Sequence, residues 1–217
     1  MIFNKFFILF KIGRKIGKSN IINIVSETHK IPVFIKIFFN LLAFSFSSSK
    51  DTKSKENLSA SIQEMGTTFI KLGQFLATRP DIIGEKLSKE LVSLQDKLPP
   101  FSKKEAEKII IENLGQSNFD DIIDLSDPIA AASIAQVHKA KIKEDNTIKN
   151  VAIKVLRPNI KKIFNEEIDA IMLLAYIVES LITKTKRLKL IEVVFLFKEI
   201  TNHEMDLRFE AAAANEY

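Results

Sequence analysis

The chain has 217 residues, a hydrophobic fraction of 46% and a charged fraction of 27%. This is the composition of a globular chain of one or two domains, which excludes disorder of the whole chain. The absence of cysteine excludes disulfide bonds, cysteine–zinc sites and cysteine nucleophiles. The three histidines (His29, His138 and His203) lie far apart without metal-ligand spacing, so we do not expect a histidine metal site.

The net charge of +5 is concentrated near the N terminus. Residues 1–50 contain eight basic residues and one acidic residue, a net of +7, so the remaining residues carry −2. Such a segment favours an anionic partner, either a membrane or a nucleic acid. Nine phenylalanines in the same segment favour a lipid interface, although phenylalanine can also stack on bases. We therefore predict that residues 1–50 form a basic membrane-interface segment and that the chain does not bind nucleic acid.

The longest apolar run of that segment is Ile31–Phe46. It is shorter than the roughly 20 residues of a membrane-spanning helix, and it contains Lys36 and Asn40 on one helical face. Two interpretations remain open: a helix in the plane of a membrane interface, or a helix packed on the protein's own core.

A serine-rich break at Ser45–Ser49 predicts a boundary near residue 50. From Leu58 to Leu76, apolar residues recur at steps of three and four, which predicts one helix ending at Arg79–Pro80. A second helix is predicted over Gly84–Asp96, before Pro99–Pro100.

The next helix has a recognisable beginning and end. Ser102 followed by Glu105 forms a capping-box pattern, which predicts a helix over Lys103–Asn113 that ends at Gly115.

The pattern changes after Asp127–Pro128. Val137–Ile142 and Val151–Leu156 are short, β-branched and alternating, which predicts an antiparallel hairpin. Two long helices are predicted to follow, over Ile160–Thr183 and Leu188–Tyr217. The order of helices, a small sheet and further helices indicates an α+β fold.

The strand Val151–Leu156 contains the sequence Val-Ala-Ile-Lys, ending at Lys154. A lysine in this pattern is typical of the kinase strand that reaches ATP phosphates and pairs with a helix glutamate. Taken alone, the pattern is a weak signal and favours an exposed strand lysine without a catalytic role.

Upstream of this strand lies a small-residue segment without glycine, Ala130–Ala135. Small side chains let a backbone approach a phosphate closely, but alanine does not adopt positive φ freely. From the residues alone, the segment is a tight turn.

Two helices carry further polar candidates. Gly66, Gly73 and Ala77 form a small-residue stripe that predicts close packing, with Lys71 and Gln74 beside it. Glu199, His203, Asp206 and Glu210 are spaced to share one face of the last helix, with Glu204 beside them. Either polar group could instead be solvated surface.

Together these motifs resemble the UbiB-type atypical kinase family, over about two-thirds of the chain from Gly66 onward. The family's lysine-x-glycine-glutamine motif corresponds to Lys71–Gln74, and its glutamate-x-aspartate motif to Glu204–Asp206. The resemblance implies that Lys154 and Glu210 form the lysine–glutamate pair, with Lys71 and Gln74 also at the active site. It also implies a nucleotide loop made of Ala130, Ala131, Ala132, Ser133, Ile134 and Ala135.

The resemblance further implies binding of ATP with Mg²⁺, and kinase-like or ATPase activity that supports ubiquinone biosynthesis. Lys71 would reach toward Glu204 and Asp206, a regulatory acidic pair; no metal ligand is assigned with certainty. Expected partners are ubiquinone-biosynthesis proteins and an anionic membrane, with the protein peripheral on the cytoplasmic face of the inner membrane.

The expected organisation has three parts: the segment 1–50, a helical extension over 51–124 and a partial kinase-like N-lobe over 125–217. The sequence departs from the family in ending before a catalytic loop or an Asp-Phe-Gly segment, and in having Ala135 where many members have glycine. We therefore expect a truncated form without a C-lobe. The alternative is a non-catalytic membrane-surface or scaffold module.

Overall fold

The computed structural model describes residues 2–18, 58–94, 98–144 and 147–214. The described helices before the sheet are α1 (Ile2–Lys18), α2 (Leu58–Met65), α3 (Thr67–Ala77), α4 (Pro80–Ile83), α5 (Glu85–Val92), α6 (Lys103–Leu114) and α7 (Gln116–Asp120). The strands are β1 (Ile122–Ala131), β2 (Ala135–Glu144) and β3 (Thr147–Leu156). They are followed by α8 (Ile160–Leu181), a 3-10 helix (Thr183–Leu188), α9 (Leu190–Glu204) and α10 (Leu207–Ala214).

The chain divides into two compact units, residues 1–95 with 162–202 and residues 96–161 with 203–217. The described residues of the first unit are helical. Their core contains Phe197, whose ring centroid lies 5.7 Å from that of Phe164 and 5.6 Å from that of Phe75. Helix α1 belongs to this unit because Ile12 is only 2% exposed and Lys15 Nζ donates to the carbonyl oxygen of Met65 at 2.8 Å.

The single helix predicted from Leu58 to Leu76 is wrong, because α2 and α3 are separated at Gly66. Gly66 has φ 100° and ψ −177°, a conformation that favours glycine and interrupts a helix. The predicted close packing at Gly73 is present: a Cβ there would lie 3.0 Å from Leu94 Cδ1 and 3.4 Å from Ile62 Cγ2. The two glycines therefore serve different purposes, one in the backbone and one in packing.

The second unit contains a three-stranded antiparallel sheet in the order β1–β2–β3. The predicted hairpin is confirmed, with β2 and β3 paired in continuous register from Ala135 opposite Leu156 to Glu144 opposite Thr147. Helix α6 packs its buried face on the sheet, in a core of Ala106, Ile110, Leu125, Ala140 and Val155. The α+β class is thus confirmed.

The predicted ends of α6 are also confirmed. Ser102 Oγ accepts from the backbone N–H of Glu105 at 3.3 Å, and Gly115 ends the helix with φ 84°. The helix predicted over Gly84–Asp96 is shorter than expected, since α5 covers Glu85–Val92.

The single helix predicted over Leu188–Tyr217 is wrong, because α9 and α10 are separated at Met205 and Asp206. Met205 is 2% exposed, so burial of its side chain accompanies the break. The N–H of Arg208 donates to Asp206 Oδ1 at 3.2 Å, a local contact that favours a new helix start. The expected continuous stripe through Glu199, His203, Asp206 and Glu210 therefore does not exist.

In the part of the chain that the structure describes, no helix combines the length and the apolar character needed to cross a bilayer. The predicted helix at Ile31–Phe46 and the predicted boundary at Ser45–Ser49 lie outside the described residues.

Candidate functional site

Lys154 and Glu210, which the sequence predicted to pair, are in contact. Lys154 Nζ donates to Glu210 Oε2 at 2.6 Å, across 56 positions of sequence. Strand alternation explains the orientation of the lysine, because Val155 points into the core and its neighbour Lys154 points away from it. The side chains of Lys154 and Glu210 are 34% and 61% exposed, so the pair is accessible from solvent.

Glu210 reaches this position because the chain begins a new helix after Asp206. It lies in the first turn of α10, where a carboxylate is favoured by the helix dipole. The result is a cation fixed on a strand and oriented by an anion on a helix, an arrangement suited to holding a phosphate.

The alanine loop, defined as Ala130–Ala135, connects β1 to β2. Ala130 pairs with Val137 at the end of β1, and the N–H of Ala132 donates to the carbonyl oxygen of Ala135 at 2.8 Å. The loop runs from the exposed Ala130 to the buried Ser133, Ile134 and Ala135.

The alanine loop has no residue at positive φ. Among the described residues, only Asn159 and Lys189 adopt positive φ without being glycine. A loop of alanines can therefore form this turn without the backbone freedom of glycine.

The acidic motif Glu204–Asp206 lies at the junction of α9 and α10. Arg208 binds the Asp206 carboxylate through Nε at 2.7 Å and Nη2 at 2.5 Å. These hydrogen bonds lower the pKa of Asp206 from 3.8 to about 2. The ring of His203 in α9 stacks on that of Phe209 in α10, with centroids 4.3 Å apart, so a contact between side chains also spans the break between the two helices.

Lys71 and Gln74 lie on α3, in the first unit, and both are half-buried. Their predicted role at the active site, and the predicted reach of Lys71 toward Glu204 and Asp206, stay predictions.

A buried polar network beneath the alanine loop was not predicted. Gln136 Oε1 accepts from the N–H of Phe101 at 2.9 Å, and Gln136 Nε2 lies 3.2 Å from the carbonyl oxygen of Phe101. The same Nε2 lies 2.9 Å from His138 Nε2, while His138 Nδ1 lies 2.9 Å from the carbonyl oxygen of Ser126. Since that carbonyl can only accept, His138 carries its proton on Nδ1 and accepts from Gln136 at Nε2.

Arg157 was also missed as a residue that contacts the loop. It binds the carbonyl oxygen of Ala132 through Nε at 3.0 Å and Nη2 at 2.8 Å. The available signal was an arginine at the end of the lysine strand, directly before Pro158, where the chain must turn.

The implied ligands fit the described residues unequally. The accessible ammonium of Lys154 beside the glycine-free turn is compatible with a phosphate-bearing nucleotide. For a metal ion, the described ranges contain no group of three or more histidine, aspartate or glutamate side chains in ligating proximity. The carboxylate of Asp206 is also occupied by Arg208. The described residues therefore do not by themselves provide the ligands of a Mg²⁺ ion.

Comparisons with known proteins identify relatives of this chain. The family profile described as "ABC1 atypical kinase-like domain" matches residues 93–217, more than half of the chain. A protein named "Probable protein kinase UbiB" from Marinobacter nauticus is 34% identical over 188 residues, which cover 86% of this chain and 34% of that relative. Proteins of the same name from Azotobacter vinelandii and Pseudomonas paraeruginosa are 37% and 31% identical over 73% and 96% of this chain.

The chain spans between about 29% and 39% of the length of these three relatives. The matched region contains the sheet, α6 and α10, which together form a partial kinase-like N-lobe. By the extent of the profile match, the chain belongs to the UbiB-type family of ABC1 atypical kinase-like proteins.

Proposed function

We propose that this chain forms the ATP-binding part of a UbiB-type kinase-like protein that supports ubiquinone biosynthesis at a membrane. The observation that carries the proposal is the contact of 2.6 Å between Lys154 Nζ and Glu210 Oε2. In kinase-like sites such a lysine holds the phosphates of ATP, and the helix glutamate orients the lysine. The relatives from Marinobacter nauticus and Azotobacter vinelandii are named as probable protein kinases, which supports the same class of chemistry.

Bound ATP would supply a phosphoryl group, and the residues of this chain would position it. Lys154 would contact the phosphates from the exposed face of β3, with Glu210 limiting the directions in which the ammonium can point. The alanine loop would approach the nucleotide through backbone N–H groups, because its small side chains leave the backbone accessible. The resemblance to the family adds Lys71 and Gln74 as further active-site residues, and Glu204 and Asp206 as a regulatory pair.

The test is calorimetric titration of the chain with Mg²⁺ and ATP. Replacing Lys154 with alanine should weaken ATP binding by at least about tenfold, since a hydrogen bond from a charged group is worth roughly 1.5–3 kcal/mol. Glu210→Gln should weaken it less, because the lysine keeps its charge while losing its orienting carboxylate.

The chain offers a matched control on the same strand. Lys149 Nζ also lies 2.6 Å from a carboxylate, that of Glu144, but near the far end of the hairpin. Lys149→Ala should therefore leave the affinity for ATP unchanged. Equal effects of Lys149→Ala and Lys154→Ala would contradict the proposed nucleotide site.

The alternative, a non-catalytic membrane-surface module, is supported by α1. Its buried side contains Ile12, whereas Phe7 and Phe10 are 56% and 40% exposed. Lys11 Nζ lies 4.5 Å from the centroid of the Phe7 ring, so a cation accompanies the exposed aromatic face. Exposed phenylalanine with basic neighbours suits an anionic lipid interface on the cytoplasmic face of an inner membrane.

Sedimentation with vesicles of phosphatidylcholine and phosphatidylserine tests this alternative. The double substitution Phe7→Ser and Phe10→Ser should reduce binding, while Ile148→Ser, at a residue 66% exposed on β3, should not. If the chain sediments with vesicles but binds no ATP, the non-catalytic function is favoured. If the double variant sediments as wild type does, α1 is not the membrane contact.

A further inference from the structure

Arg157 connects the alanine loop to the rest of the second unit. Its Nε and Nη2 both donate to the carbonyl oxygen of Ala132, at 3.0 and 2.8 Å. Ala132 is the first residue of the turn after β1, so two donors fix the position of one peptide in the loop. Because that peptide cannot rotate without losing both hydrogen bonds, the direction of the neighbouring N–H groups is also restricted.

The same residue makes two further contacts with backbone carbonyls. Its N–H donates to the carbonyl oxygen of Ile134 at 2.9 Å, and its Nη1 donates to that of Pro99 at 3.0 Å. Arg157 therefore binds the loop at two peptides and joins it to the segment that precedes α6.

The segment at Pro99 is itself held in place. Phe101, two residues further on, is bound through both its N–H and its carbonyl oxygen to the fully buried side chain of Gln136. The guanidinium carbon of Arg157 lies 6.0 Å from the centroid of the Phe101 ring. Arg157 thus connects the loop to a segment that is attached to the sheet.

We propose that Arg157 is the positioning residue of the alanine loop, which sets the loop conformation that receives the phosphates of a nucleotide. The nucleotide part of this inference rests on the function proposed above, whereas the loop part does not. A lysine cannot replace Arg157, because one ammonium cannot present the planar, multiple donors that bind Ala132 and Pro99 together. The side chain of Arg157 binds Ala132 in the loop and Pro99 before α6, so its effect on a nucleotide would act through the loop.

The first measurement is amide hydrogen exchange without nucleotide. The N–H of Ala132 donates to the carbonyl oxygen of Ala135. Arg157→Lys should increase the exchange rate of this N–H by about tenfold or more, because the loop loses the charged hydrogen bonds from the guanidinium to Ala132. Exchange in the central β2–β3 pairs should stay unchanged, which separates a change in the loop from unfolding. Unchanged protection at Ala132 would overturn the proposal.

The matched control is Arg79→Lys. Arg79 also donates twice, to the two carboxylate oxygens of Asp81 at 2.9 and 2.8 Å, but it belongs to the first unit. This variant should leave exchange of the loop amides as in wild type. If Arg79→Lys increases the exchange of the loop amides as much as Arg157→Lys does, the effect is not specific to Arg157 and the proposal fails.

The second measurement is the dissociation constant for ATP with Mg²⁺. Arg157→Lys should weaken binding about tenfold while Arg79→Lys leaves it unchanged. Binding as tight as wild type, despite a deprotected loop, would overturn the positioning role. A wild-type chain that binds no ATP would instead overturn the proposed function, and the exchange result alone would then decide whether Arg157 holds the loop.

Discussion

Replacing Gln136 with leucine should strongly destabilise the second unit. Gln136 is 0% exposed, and its amide serves three partners: the N–H and the carbonyl oxygen of Phe101, and Nε2 of His138. Leucine has a similar volume but satisfies none of them. An unsatisfied buried polar group costs about 1–3 kcal/mol. Loss of one buried and two partly buried contacts should therefore lower the free energy of unfolding by roughly 3–5 kcal/mol.

Urea unfolding followed by far-ultraviolet circular dichroism measures this effect, because the chain contains no tryptophan for fluorescence. With a slope of about 2 kcal/mol per molar urea, the midpoint should fall by roughly 1.5–2.5 M. Gln116→Leu is the control, since Gln116 Nε2 contacts Asp120 Oδ1 at 2.7 Å on the exposed surface of α7. Such a surface pair is worth about 0.2–0.5 kcal/mol. A midpoint for Gln136→Leu equal to that of Gln116→Leu would refute the reasoning.

Three further predictions concern local structure, each measured as the midpoint of urea unfolding. Gly66→Ala should cost about 1–3 kcal/mol, because φ 100° and ψ −177° are strained for any residue with a Cβ; no loss of stability would contradict this. Ser102→Ala should cost about 1 kcal/mol through loss of the helix cap on α6, and an unchanged midpoint would refute it. Because the folded pKa of Asp206 is about 2, below its usual 3.8, its pair with Arg208 contributes fully above about pH 4 and is lost as the pH falls through 2. The difference between wild type and Asp206→Asn should therefore stay constant from neutral pH to about pH 5 and shrink only below about pH 4, whereas a difference that changes near neutral pH would contradict the assignment.

The elements that could be predicted from sequence are those with local chemical signals. Ser102 and Gly115 mark the ends of α6, and the hairpin follows from alternating β-branched residues. The contact between Lys154 and Glu210 could be predicted from the resemblance, because the residues that form it belong to recognisable motifs.

The errors have physical causes. β1 was missed because Pro128 resembles a break, whereas the strand continues through register shifts on both sides of that residue. The division of α2 from α3 was missed because the apolar periodicity continues across Gly66, whereas the helical conformation of the backbone is interrupted there. The contacts of Arg157 with Ala132 and Pro99 depend on tertiary proximity, which spacing in the sequence does not reveal.

Helix α10 joins the sheet through a contact that dissolved salt weakens. None of its described residues is fully buried, and the ion pair between Lys154 and Glu210 is partly solvated, with exposures of 34% and 61%. Such pairs are worth about 0–1 kcal/mol, and the screening length of dissolved ions falls from about 30 Å at about 0.01 M salt to about 3 Å at about 1 M, which is close to the separation of this pair. The fraction of molecules in which Glu210 orients the Lys154 ammonium therefore depends on the salt concentration of the buffer as well as on the sequence. An affinity measured in concentrated electrolyte would describe a different population from one measured in dilute electrolyte.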